Sequence, residues 1–320
     1  MELRNYNLIY KLVFIFLFSL RLKAQVELGV EFSIDAENTN TMTAAQPSVW
    51  DFRFFDKANL NAQVEIHHMF TKPVHLILIK EDFSSFSHLH PKPIGSSDHP
   101  EHSGSNYTLT INAPSSDNDD IEIQNAVPTS GNYFAWLDVM PMGGNMQVLP
   151  LDITATGPGT STKPIVAMAP NVDGSYDKKF KDYHLKLMPV FVDHCGKVSV
   201  SFNLVIKKLN SDNKEFQDVV DLQTWLESFA HGVLISADGK TAATKSTTHY
   251  HATWPLPDDP TTERGPLIEL GVHSHSQMQS GIYGLWFQFK HQDIVNTVSW
   301  VLDIQFPLAN AGQKCRPMAL

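Results

Sequence analysis

Ser130-Gly131-Asn132-Tyr133, running on through Trp136 to Leu151-Asp152-Ile153, returns later as Ser280-Gly281-Ile282-Tyr283, Trp286 and Leu302-Asp303-Ile304. Working outward, His75-Leu76-Ile77-Leu78-Ile79 is echoed by His231-Gly232-Val233-Leu234-Ile235, and His88-Leu89-His90 by His249-Tyr250-His251. The offsets are 150, 156 and 161 residues, so the elements keep their order while the loops between them change length. That pattern marks two copies of one folding unit within a single chain.

A chain of 320 residues accommodates two domains of ordinary size, each able to bury its own core. The organisation read from the sequence is a signal peptide at 1–24, a first β-sandwich at 25–156, a linker at 157–178, a second sandwich at 179–308 and a tail at 309–320. Arg4 and Lys11 precede or open the apolar run Leu12–Leu20, and Ala24 offers a small residue for cleavage, as in a secretory signal. The run is too short to span a bilayer, which takes about 20 residues. The expected location is therefore exported, periplasmic or extracellular, with no membrane association after cleavage. Net charge is −10. With no basic cluster, phosphate backbones and anionic lipid would repel this surface, which argues against nucleic acid as a partner. Two cysteines, Cys195 and Cys315, are too few for a disulfide scaffold; a bridge between them is open either way.

Short β-type runs punctuated by Gly, Pro, Asn, Asp and Ser dominate both copies. Val198-Ser199-Val200-Ser201-Phe202-Asn203-Leu204 alternates apolar and polar residues, as a half-buried strand does. The best helical candidate is 216–229, a turn or two inside a connection. Seven to nine short strands per copy predict an all-β chain of two antiparallel β-sandwiches with an immunoglobulin-like appearance. Tyr133 and Trp136, like Tyr283 and Trp286, are three residues apart and face opposite sides of one strand, reading as core anchors.

Histidine placement carries the chemistry. Side chains at i and i+2 of a strand share a face about 6.5–7 Å apart, so His88 with His90, and His249 with His251, can converge on one ion. A hairpin turning at Phe83–Ser84 would set His75 diagonally across from His90, within reach of a shared ligand. His231 occupies the matching place in the second copy. The candidate ligands are thus His75, His88, His90, His231, His249 and His251. His67, His68, His99, His102, His273 and His275 are further imidazoles in loops, whereas His184 and His291 read as surface or hairpin residues. Neutral imidazole suits copper, zinc or nickel; Met140, Met142 and Met146 add thioethers favouring Cu(I), so copper is the first expectation and zinc the second. The bland alternative gives the histidines structural hydrogen bonds and makes the chain an interaction module for a protein or glycan.

No Gly-x-Ser-x-Gly elbow, His-Glu-x-x-His pair or phosphate-binding glycine loop occurs, so the expectation is a non-catalytic binding protein. Asp117-Asn118-Asp119-Asp120 lacks the glycine and distant glutamate of a calcium loop.

The stretch from Pro73 through His75, His88 and His90 to Pro91 resembles secreted bacterial proteins with YtkA-like or cupredoxin-like (immunoglobulin-like) β-sandwich domains. Asp221 to His231, His249-Tyr250-His251 and Tyr283 to Lys290 resemble a second such module, with Ala252 where the pattern would place the proline seen at Pro91. The resemblance implies an exported sandwich associated with heavy-metal handling and a metal role for His75, His88 and His90, extended to His231, His249 and His251.

Overall fold

The computed structural model describes residues 26–69, 71–95, 102–113, 123–159, 164–194, 197–212, 214–237, 248–255, 264–272 and 278–307. The expected signal peptide and tail, both cysteines, His99, Asp117 to Asp120, His273 and His275 lie outside the described residues. Within them the protein is all-β, and no helix is long and apolar enough to cross a membrane.

The N-terminal half contributes β1 (Leu28–Ile34), β2 (Thr41–Thr43), β3 (Ser48–Asp56), β4 (Ile66–His67) and β5 (Val74–Lys80). It continues with β6 (Phe86–Leu89), β7 (Lys92–Pro93), β8 (His102–Ser103), β9 (Asn106–Ile111), β10 (Gly131–Pro141) and β11 (Gln147–Thr156). The C-terminal half holds β12 (Tyr176–Phe180), β13 (Tyr183–His194), β14 (Lys197–Leu209), β15 (Phe216–Asp218) and β16 (Ala230–Ser236). It ends with β17 (Thr248–Trp254), β18 (Leu267–Val272), β19 (Gly281–His291) and β20 (Ile294–Ile304).

The same strand order appears twice. In the first half, β1-β3-β9-β7 form one sheet, while β6, β5, β10 and β11 pair side by side in another. In the second half, β13-β14-β18 continues directly through β17 into β16-β19-β20, so the equivalent strands form one curled sheet. A register irregularity between Ala252 and Trp254 lies on the pairing of β17 with β18. The region 216–229 is not helical. After β15 the chain makes a tight turn between Trp225 and Ser228, with Leu226 and Glu227 at φ 49° and 59°, which no right-handed helix can hold.

Two apolar clusters fill the halves, one around Trp50, Phe52, Leu76, Leu78 and Tyr133, the other around Phe202, Leu234, Tyr250, Phe287 and Trp300. β5 and β16 are buried along their whole length, which explains why both read as unbroken apolar runs instead of alternating ones. Alternation is still present, but both faces are covered. Leu76 and Leu78 face the first cluster, whereas Ile77 and Ile79 belong to a third cluster with Trp136, Val233, Ile235 and Trp286.

This third cluster joins the halves, and it is built from matched positions. Ile77 and Ile79 correspond to Val233 and Ile235, and Trp136 to Trp286. Each half therefore presents the same surface to the other, as in an isologous dimer interface. Trp136 and Trp286 do face away from Tyr133 and Tyr283, as expected, but they anchor the junction of the halves instead of either interior. Phe86 stacks on Trp286 at 5.3 Å and Phe83 meets it edge-on at 5.3 Å. Gly284 lets that indole lie flat: a Cβ there would come within 2.6 Å of the Trp286 ring.

Replacing Trp286 with Ala should cost about 3–5 kcal/mol, the usual range for truncating a buried tryptophan. Denaturant titration followed by circular dichroism should show the midpoint falling. A midpoint unchanged from the parent would mean that this junction does not hold the halves together.

Candidate metal centre

Strand register assembles the histidines. β5 pairs with β6 through Leu76↔Leu89 and Ile77↔His88, centring the hairpin between Asp82 and Phe83, not at Phe83–Ser84. Phe83 takes a positive φ of 61° to close that turn. The shift of register sets His90 beside His75 instead of diagonally across from it, and makes His88 the diagonal neighbour. The second half repeats this arrangement: His231 pairs with His251, and His249 lies opposite Val233. On its other side His75 is paired with Asp138 of β10, and His231 with Gln288 of β19.

The result is two triads. The donor atoms of His75, His88 and His90 lie within 4.8 Å of one another, as do those of His231, His249 and His251. Both triads occupy the face that also carries the third apolar cluster, so packing the halves together brings them side by side. His249 lies 5.4 Å from His88 and 5.7 Å from His75, ring centre to ring centre, while His88 lies 6.1 Å from His231. Within the second triad, His231 and His249 are themselves 6.0 Å apart. At its closest approach, 5.4 Å between His88 and His249, the separation between triads is smaller than the widest spacing within one.

The hydrogen bonds at the periphery determine which nitrogens face inward. His75 Nε2–H donates to the Met69 carbonyl at 2.9 Å, and His231 Nε2–H to the Trp225 carbonyl at 2.8 Å. Met69 and Trp225 are again matched positions, each in a tight turn six residues ahead of its histidine. His88 Nδ1–H donates to Gln288 Oε1 at 3.0 Å, whose amide nitrogen donates in turn to Thr297 Oγ1 at 3.1 Å. His249 Nδ1–H donates to Asp138 Oδ2 at 3.1 Å. These last two bonds cross between the halves reciprocally. Each half supplies the acceptor that orients a histidine of the other.

Neutral imidazole has one N–H, so these donations leave four lone pairs directed inward: Nδ1 of His75 and His231, and Nε2 of His88 and His249. His75 Nδ1 and His88 Nε2 stand 3.0 Å apart. His249 Nε2 is buried with no hydrogen-bond partner. Two lone pairs at that separation repel unless a proton or a metal cation lies between them. A proton is disfavoured. Burial holds His75 down to about 4 and His231 to about 3, each pushed further by the neighbouring His249. Burial likewise takes His88 and His90 well below the ordinary imidazole range, with His90 and His75 adding to the effect on His88, and His75 and Lys72 to that on His90. These four rings stay neutral across the physiological range, in the form that ligates metals. The Trp225 indole closes one side, edge-on to His88 at 5.8 Å and to His231 at 5.1 Å.

Other imidazoles lie elsewhere. His67 pairs with Met140 and His102 at the end of β10, and His68 Nε2 meets Ser103 Oγ at 2.7 Å. His184 contacts Asp177 at 3.1 Å near the surface. His291 sits at the β19–β20 hairpin as expected but is buried, its ring held between the Tyr183 hydroxyl at 2.8 Å and Asp221 at 3.0 Å. Sequence reasoning missed Asp138 and Gln288. Their signal was present, since each follows its repeat tryptophan by two residues and so shares its face.

Because the folded pKa values are depressed, the unfolded chain binds more protons below about 6.5, and stability falls as pH drops through that value toward 4. The metal-free protein should lose on the order of 5–10 °C in Tm between pH 7 and pH 4.5. A flat Tm over that range in scanning calorimetry would show that the buried rings are not held neutral.

Comparison with known proteins adds little chemistry. Residues 197–305 match the family described as "Domain of unknown function (DUF8832)". No curated protein matches the chain. A DUF4466 family protein from Parabacteroides merdae ATCC 43184, known from its crystal structure, aligns over 86% of this chain and 98% of its own, at 8% identity and a TM-score of 0.18.

Proposed function

We propose that this chain is an exported protein of two tandem immunoglobulin-like β-sandwiches that binds a transition metal, copper in the first place and zinc in the second. The ligands are His75, His88 and His90 with His231, His249 and His251. One observation carries the reading: within a group of six imidazoles, His75 and His88 have their outer nitrogens committed to protein oxygens and bring Nδ1 and Nε2 to 3.0 Å of each other.

The surroundings support it. Ligating histidines ordinarily donate their second N–H to a carbonyl or carboxylate, which fixes the ring and raises its basicity. Met69, Trp225, Gln288 and Asp138 supply such acceptors to four of the six rings. An all-imidazole set with no thiolate suits copper and zinc and disfavours calcium or magnesium, which take oxygen. A storage or transfer role follows from the burial of the ligands and from the lack of a recognisable catalytic motif. Export follows from the charged and apolar pattern at 1–24.

Elemental analysis of the untagged mature protein after dialysis against copper or zinc should find bound metal, and the H88A/H90A double variant should lose the share held by the first triad. Uptake unchanged in that variant would remove these ligands. Asp138→Ala should weaken binding at the second triad by about 10–100-fold, the usual effect of deleting an outer-shell acceptor. Competition with a chromophoric chelator reads that change, and an affinity equal to the parent's would make Asp138 a bystander.

A further inference from the structure

We infer that the two triads form one dinuclear centre shared by the halves, holding two ions close enough to be bridged by a single small oxygen ligand such as hydroxide. The inference rests on the metal-binding reading above and goes beyond it in stoichiometry, in coupling and in bridging chemistry.

Three observations carry it. First, the donors are sufficient for two ions: each triad offers three nitrogens within 4.8 Å of one another, a full set of protein ligands for an ion that keeps a further position open. Second, no layer of protein separates the sets. His88 and His249 come from different halves, yet their rings are 5.4 Å apart, closer than His231 and His249 within one triad at 6.0 Å. Both rings have Nδ1 tied outward, so both direct Nε2 inward. Ions at ordinary bond lengths of about 2.0–2.1 Å from such donors fall within the few ångströms that paired metal sites occupy. Third, the outer acceptors are exchanged: Asp138 of the first half holds His249, and Gln288 of the second holds His88. Neither triad is complete within its own half, so the unit of function is the pair.

Charge balance points to the bridging ligand. Imidazole ligands bring no charge to a bound ion, and the described carboxylate hydrogen-bonded to them is Asp138, whose charge would offset only part of two divalent ions. A hydroxide between the ions, formed when a bound water releases a proton to bulk solvent, reduces their repulsion without moving any side chain.

The test uses the full mature chain loaded with cupric chloride. Copper is counted by elemental analysis, cuprous ion is counted separately with bicinchoninate, and any that is found is re-oxidised with ferricyanide before electron paramagnetic resonance. The inference predicts two coppers per chain and a spin count well below two, or a half-field transition, because paired cupric ions couple. In His249→Ala, copper should fall to one and the resonance should become that of an isolated ion with full intensity. His251→Gln serves the same purpose if the alanine variant does not fold. Two coppers giving two full, independent spins would overturn the inference while leaving metal binding intact. One copper per chain in the parent would also overturn it, since the six rings would then be one mononuclear site. Retention of the coupled signal in the variant would overturn it equally. No copper in the parent would sink the metal-binding reading itself.

Discussion

The structure depends on the face-to-face packing of two copies of one surface. β5 with β10 and β16 with β19 each bury both sides: one against the interior of their own half, the other against the partner strands. Ile77, Ile79 and Trp136 meet Val233, Ile235 and Trp286 across that junction. An isologous contact repeats every feature of the patch about its pseudo-two-fold axis. The rows of histidine that continue the apolar patch along the same strands are thereby brought together. Once Trp136 and Trp286 share one cluster, the triads cannot lie on opposite ends of the molecule.

Such packing has a cost. Six imidazoles are withdrawn from most or all solvent, and a buried polar group without a partner is expensive. The fold offsets this by committing outer nitrogens to carbonyls in two equivalent turns and to side chains that cross the junction. The crossing bonds make the polar site depend on the apolar contact, and the reverse also holds. A shift of one half against the other would strip His88 of Gln288 and His249 of Asp138 together. The facing nitrogens of His75 and His88, 3.0 Å apart, are the contact that a cation would balance.

The first and second halves differ where the junction tolerates it. β17 hydrogen-bonds to β18 as well as to β16, whereas β6, among the described residues, pairs with β5 alone. Phe83 and Phe86 of the first half pack edge-on and stacked against Trp286 of the second. The acceptors differ as well, carboxylate on one side and amide on the other. His249 is therefore oriented by a carboxylate and His88 by an amide, so ions held at the two positions would meet different electron donation.

Several features were legible in the residues alone: the repeated motifs, the all-β class, the histidines that the structure gathers and the i, i+2 pairing of His88 with His90 and of His249 with His251. Periodicity is a local property, written in the chain at the spacing of a strand. Register, partner strand and the identity of the covering surface are not local. The hairpin centre differed by one residue from expectation because Phe83 accepts a left-handed backbone that its side chain does not advertise. The segment 216–229 resembled a helix by composition but is held extended and turned by its neighbours. Trp136 and Trp286 were visible as anchors; that they anchor the halves to each other, and so set two triads side by side, was decided only when both faces of β10 and β19 found what would cover them. A strand's sequence records how much of each face avoids water, but not which surface excludes it.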